Sequence, residues 1–311
     1  MTLRPKLTCP QMWDPNQYWL KAKAYYDRME AARGGSADAP MYAALSIEYF
    51  ARSALCSVHP ALNADPQDEG AHIMFSLGLA SPKPPRTIPI HAVFKRLNRI
   101  FPAVFTEDHQ KYAEYMTKLR NEEVHSALLP FEGLNEGQWL AEYYDLVLAA
   151  LKILGRRSTE LFPSKNEAKL ARAVVKERRD RKTSEVKKRI GERKRAFNAL
   201  DRDQRTQKRA ESEERVRFQD SSAIADCPAC GSKILLRGTL LQVSEPEFDG
   251  DQLLSQARFA TQKVLCTACK LRLRGATEIS VAKLPPRFHE EWAYDLHESR
   301  DLEREDEYDN M

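Results

Sequence analysis

Long hydrophobic runs are what this chain lacks most. None of its 311 residues belongs to an apolar stretch approaching the roughly 20 residues that span a bilayer. The opening Met1-Thr2-Leu3-Arg4-Pro5-Lys6-Leu7 also lacks the apolar centre of a secretory signal. The two absences predict a cytoplasmic protein with no membrane partner. Cysteine is scarce as well: there are six, of which four fall into two C-x-x-C pairs. In a reducing compartment such usage reads as metal ligation rather than disulfides. Of the two left over, Cys56 lies on an apolar helical face and reads as a small buried hydrophobe. A strong overall charge is missing too, since the net value is +4. That figure hides two blocks: Lys165–Arg217 carries about twice as many basic as acidic residues, and Glu290–Asp309 is strongly acidic.

What is present first is helical periodicity. Asp14-Pro15-Asn16-Gln17 has the form of a helix start, with an Asp cap, Pro at the first helical position and Gln three residues after the cap. Tyr18, Ala22, Tyr25, Met29 and Ala32 follow at helical spacing up to Gly34-Gly35. A second helix is expected from Asp38-Ala39-Pro40 through Cys56. Further helical patterns cover Pro89–Ile100, Glu107–Leu129 and Glu136–Leu154, with a short apolar segment at His72–Leu79. Pro60–Gly70 and Ser81–Pro89 read as loops. Short connections between amphipathic helices predict a helical bundle over residues 12–157.

Residues 158–219 read as a charged helical linker, because Leu170, Val174, Val186, Ile190, Phe197 and Leu200 are too sparse to sustain a heptad. Its basic excess, with Lys176, Arg178 and Arg179, suits contact with RNA phosphates. After Asp220 the pattern switches to period two. Strands are expected at Ile234–Val243, Lys263–Cys266 and Leu271–Gly275, with Glu245–Gln256 as an insertion or loop. The acidic tail, 286–311, reads as helical or disordered. The fold class is therefore mainly α: a helical bundle, a long charged helix and a small β-rich domain.

Cys227-Pro228-Ala229-Cys230-Gly231 and Cys266-Thr267-Ala268-Cys269-Lys270 each offer two thiolates three residues apart, able to take two corners of a tetrahedron. Gly231 suits the tight turn that such a loop needs. Four thiolates would close the coordination sphere of one structural zinc ion per chain and leave no position for an activated water. Residues 220–285 resemble a zinc ribbon on this spacing. The ribbon carries Lys233, Arg237, Arg258, Lys263, Lys270, Arg272 and Arg274, and of these Arg237, Lys270, Arg272 and Arg274 are candidate RNA contacts.

The helix expected over Glu107–Leu129 contains Arg120-Asn121-Glu122-Glu123-Val124-His125. Asn121 and His125 are i,i+4 neighbours and share a face. Arg120 and His125 are five apart, about 140° around an ideal helix, and do not converge within one straight helix. A kink, a helix end or a symmetric dimer could bring them together. This segment resembles the Arg-polar-x-x-x-His signature of the HEPN superfamily, helical-bundle proteins that include many ribonucleases. Glu48-Tyr49-Phe50-Ala51-Arg52-Ser53-Ala54-Leu55 is similar to a second HEPN feature, with Tyr49 where Lys is common.

The resemblance implies a metal-independent endoribonuclease that leaves a 2′,3′-cyclic phosphate and a 5′-OH, acting on RNA as a homodimer, in phage defence or as a toxin. It would use His125 to exchange protons, Arg120 to hold the phosphate, and Asn121 to orient phosphate or imidazole, with no catalytic metal. His59, His72, His91, His109, His289 and His297 read as surface or loop histidines. Two other readings stand beside the nuclease. One is a non-catalytic adaptor that dimerises through the bundle and docks through the ribbon onto nucleic acid or protein. The other is a toxin restrained by a regulatory protein partner or by its own acidic tail.

Overall fold

A computed structural model describes residues 9–34, 36–81, 84–219, 221–249 and 252–295. They form a mainly helical protein with a separate antiparallel sheet toward the C-terminal end. No helix among the described residues is long and apolar enough to cross a membrane. The chain divides into two compact units, Met1–Asp180 and Arg181–Met311.

In the first unit α1 (Pro15–Ala32) starts where the sequence indicates. Asp14 Oδ1 accepts from the backbone N–H of Asn16 at 2.7 Å and of Gln17 at 3.1 Å. Trp19, Ala22, Tyr26 and Met29 then fall on one buried stripe. α2 (Asp38–Val58) is the hub, packing against α1, α4 (Ile90–Ile100), α5 (Glu107–His125) and α6 (Glu136–Ile153). Its alanines at 43, 44, 51 and 54 permit close approach, while Ile47, Phe50 and Leu55 fill the space between helices. A one-and-a-half-turn helix, α3 (Ala71–Ser76), occupies the apolar segment before α4. Helix α5 stops at His125, four residues earlier than expected. Ser126 turns extended, its hydroxyl donates back to the Glu122 carbonyl at 2.6 Å, and it accepts from the Leu128 N–H at 3.1 Å.

The charged segment 158–219 holds α7 (Lys165–Asn198) and α8 (Arg202–Val216). Ala168, Ala171 and Val175 of α7 belong to the core of the first unit, whereas Val186 and Phe197 belong to that of the second. The apolar residues are sparse because each half buries only a narrow stripe.

In the second unit α8 is tied down by polar contacts. Ser212 Oγ donates to the Lys233 carbonyl at 2.6 Å, and Arg209 donates to the Cys230 carbonyl at 3.1 Å. The strands are β1 (Ile224–Asp226), β2 (Lys233–Val243), β3 (Glu247–Asp249), β4 (Gln252–Leu265), β5 (Arg272–Arg274) and β6 (Arg287–Asp295), with α9 (Gly275–Val281) before the last. β4 is central: β2 and β3 lie along one edge, β5 and β6 along the other, all antiparallel, and β1 pairs antiparallel with the start of β2. Two expectations are corrected here. Residues within Glu245–Gln256 form β3 and the start of β4 rather than a loop. Arg287–Asp295, expected to be helical or disordered, is a strand because Phe288 and Trp292 alternate inward onto Phe259; the Phe259 and Phe288 rings stack at 5.0 Å. The remainder of the acidic tail, including His297, lies outside the described residues.

Candidate functional site

The two C-x-x-C segments fold alike. After each second cysteine the chain enters the left-handed region, at Gly231 (φ 73°) and Lys270 (φ 63°). In both loops that residue's N–H bonds the first cysteine's carbonyl at 2.9 Å, Gly231 to Cys227 and Lys270 to Cys266. Each first cysteine in turn donates from its N–H to the carbonyl two residues past the second cysteine, Ser232 or Leu271, at 2.9 Å. The two hairpin loops face each other, so Cys227, Cys230, Cys266 and Cys269 are all buried with their sulfurs within 4.8 Å of one another. Cys227–Cys269 and Cys230–Cys266 separations are 3.6 and 3.5 Å. A disulfide would need about 2.05 Å, whereas Zn–S bonds of about 2.3 Å give tetrahedral edges near 3.8 Å. The donor set and its spacing are therefore compatible with a zinc site. Four sulfurs would complete a structural sphere, and the centre itself would hold the two loops together.

The α5 motif splits between two faces. Arg120 Nη2 donates to Glu48 Oε2 at 2.7 Å, and Glu48 Oε1 accepts from Arg52 Nε at 3.2 Å. Arg52 is held further by Asn63 Oδ1 at 2.7 Å and the Ile88 carbonyl. The two segments singled out in sequence, one on α2 and one on α5, thus meet in an Arg–Glu–Arg network. Among the described residues, Arg120 Nε and Glu123 Oε2 of α5 are buried without hydrogen-bond partners.

Asn121 and His125 face elsewhere. With Glu114, Thr117, Lys118 and Glu122 they line one wall of an open groove of about 560 Å³, opposite Ile90, His91 and Phe94 of α4. The structure brings Asn121 and His125 together at this groove, while Arg120 is not part of its lining. The groove also recovers His91, which the sequence reading passed over: it sits in the first turn of α4 and faces the last turns of α5, where no local spacing could reveal it. Next to His125 the surface is apolar, with Val124, Leu128 and Leu129 all more than half exposed.

Two of the histidines read as surface residues are buried. His72 is fully enclosed and meets Asp68 at 3.1 Å, and His109 pairs with Asp145 at 3.5 Å. Burial pushes the Asp145 carboxyl up, but His109 and Arg179 outweigh it and hold it below its usual range.

Of the expected RNA contacts, Arg178 donates to Glu142 at 2.6 Å and Arg179 to Asp145 at 2.5 Å, so both serve carboxylates of α6. Lys176 lines a separate pocket with Lys152 and Arg172. Arg237, Arg272 and Arg274 project from the outer face of the sheet, and Lys270 is exposed in its cysteine loop. Comparison with family models, curated proteins and solved structures gives no match, so function is read from these sites alone.

Proposed function

We propose that this protein is a HEPN-like, metal-independent endoribonuclease whose C-terminal unit is a zinc ribbon that holds the RNA. The observation that carries the reading is the open groove shared by Asn121, His125, Lys118 and His91. Cleavage by the 2′-hydroxyl needs a proton acceptor, a proton donor and positive charge near the phosphate. His125 takes the proton of the attacking 2′-hydroxyl and returns it to the 5′-oxygen as the P–O bond to it breaks, Asn121 orients the phosphate, and Lys118 supplies charge at the same wall. Arg120, bound to Glu48, sets the rotation of α5 that turns Asn121 and His125 toward the groove. The products are a 2′,3′-cyclic phosphate and a 5′-OH. The exposed Val124, Leu128 and Leu129 beside His125 suit a two-fold contact between bundles, which would bring two such grooves together. Zinc in the four-cysteine centre stabilises the ribbon and takes no part in cutting.

A second reading is favoured by one observation. Arg120 is occupied by Glu48 rather than free in the groove, as a non-catalytic adaptor would have it. Cleavage of generic RNA in the presence of EDTA, at a concentration that leaves the protein's zinc bound, separates the two. The nuclease predicts cutting that survives the chelator, gives cyclic-phosphate ends, and is lost in His125→Ala. Equal cutting by His125→Ala and wild type sinks the site, and intact binding without any cutting establishes the adaptor.

A further inference from the structure

Cations stand in a row on the outer face of the sheet. Arg237 of β2 is directly opposite Lys263 of β4, and Lys263 is directly opposite Arg274 of β5. Arg272 lies on the same outward face, two residues along β5 and opposite Leu265. All four side chains are exposed, and among the described residues none of the four is in a side-chain ion pair; the backbone N–H of Arg274 donates to Glu278 Oε2 at 2.9 Å, and that carboxylate is itself paired with Arg189. Lys233, which pairs with Asp226 at 2.8 Å, and Arg215 of α8 complete a groove of about 460 Å³. Its lining contains basic side chains from three strands and a helix, and no acidic one. Like charges directly opposite each other destabilise a sheet. Acids for a mixed surface are available in the same unit, at Glu247, Glu290 and Glu291, yet none enters the groove. Leu235 and Leu265 lie between the cations and offer an aliphatic floor.

We infer that this face is a track for the phosphodiester backbone of single-stranded RNA. The inference deepens the proposal above by assigning the site that holds the strand, and it rests on RNA being the substrate. Adjacent strands are about 4.8 Å apart, so the row Arg237–Lys263–Arg274 spans about 10 Å. That length follows one backbone rather than the two of a duplex. The lining carries no Asn, Gln or aromatic side chain, the groups that read base edges or stack on bases. Binding is therefore sequence-independent and governed by counter-ion release.

The test uses zinc-loaded full-length protein and a labelled 2′-O-methyl oligouridine, which has no free 2′-hydroxyl and survives the proposed cleavage. With about four phosphates neutralised, the log–log salt slope is about −2.8, and affinity falls about 50-fold between 50 and 200 mM salt. The double variant Lys263→Gln/Arg274→Gln should flatten the slope to about −1.4, leaving about a 7-fold fall. Arg258→Gln, on β4 but outside the groove, should keep the wild-type slope. Removing like charges should leave the thermal midpoint of this unit unchanged or raised, which shows that the variant is folded. A wild-type slope in the double variant, stronger binding of duplex than single strand, or binding of polyglutamate in place of RNA each overturns the assignment. His125→Ala keeps the binding, so a protein that binds in this way yet never cuts loses only the nuclease reading.

Discussion

Replacing Glu48 by Gln probes the network that fixes the α5 motif. Glu48 accepts from Arg120 at 2.7 Å and from Arg52 at 3.2 Å, and its side chain is 16% exposed. Glutamine keeps the shape and removes the charge, leaving two guanidiniums around a neutral amide. Breaking a buried ion pair from one side costs about 3–5 kcal/mol, and the partial exposure of this group places it near 3 kcal/mol. Arg120→Met is milder. Glu48 retains Arg52, and the buried Arg120 Nε that has no acceptor is removed with the side chain, so the expected cost is about 1 kcal/mol. In a unit of this size each kcal/mol moves the midpoint by about 2–4 °C. Glu48→Gln should therefore lower the bundle's melting by about 6–12 °C, and Arg120→Met by about a third of that. Differential scanning calorimetry of the zinc-loaded protein reads both values. An equal loss in the two variants, the reverse order, or a Glu48→Gln midpoint equal to wild type would refute the shared-carboxylate account. The comparison also guards the activity assay, because a folded Arg120→Met that cuts poorly reports on the groove rather than on stability.

Three further predictions concern the rest of the molecule. With zinc in the four-cysteine centre, as proposed, chelation should abolish the structure of the β-rich unit while the bundle's helical signal persists; with a thiol reagent, exposed Cys9 reacts in the zinc-loaded protein, Cys227, Cys230, Cys266 and Cys269 only after chelation, and Cys56, buried and pushed up to about 12, only in denaturant. Cys56 reacting together with Cys9 in the native state would contradict this. Asp145 is held below its usual range in the folded state, so its stabilising contribution is present above the unfolded value of about 3.9 and is lost as pH falls through the folded value; Asp145→Asn should flatten the acid limb of bundle stability, and an unchanged limb would refute the link. A Cβ at Gly238 would lie 1.9 Å from the Ala260 carbonyl oxygen, so Gly238→Ala should cost about 3 kcal/mol or more in the β-rich unit, and a variant with wild-type melting would show that β2 can shift at the register break between Arg237 and Gly238.

The helical half was legible because its signals are local. The Asp14 cap, the helical spacing of α1 and α6 and the break at Gly34 all act within a few residues, although α1 buries Trp19 and Tyr26 where the spacing pointed to Tyr18 and Tyr25. What the sequence reading missed depends on partners far along the chain. β6 was hidden by composition: its acidic residues dominate the average, while Phe288 and Trp292, the residues that dock on Phe259, alternate with them. The beginning of β4 was hidden in the same way, since Leu253 and Leu254 have meaning only beside β3 and β6. Glu48 and Arg52 were visible as an i,i+4 pair, but the tie from Glu48 to Arg120 crosses 72 positions and has no local pattern.

The outer row of the sheet shows how a feature can be implied by a sequence without being visible in it. Ile234, Leu236, Val264 and Leu273 are the residues that must be buried around the cysteine loops. A strand sends successive side chains to opposite faces, so burying these four forces Lys233, Arg237, Lys263, Arg272 and Arg274 outward. The register that aligns Leu236 with Val264, and Val264 with Leu273, sets Arg237, Lys263 and Arg274 in line one residue along. A one-residue slip would break the row, but it would also expose the core. Like-charge repulsion across the row is small beside that loss. The cation row is therefore enforced by the hydrophobic pattern beneath it, and weakening the core should disperse the row before any change in the number of charges.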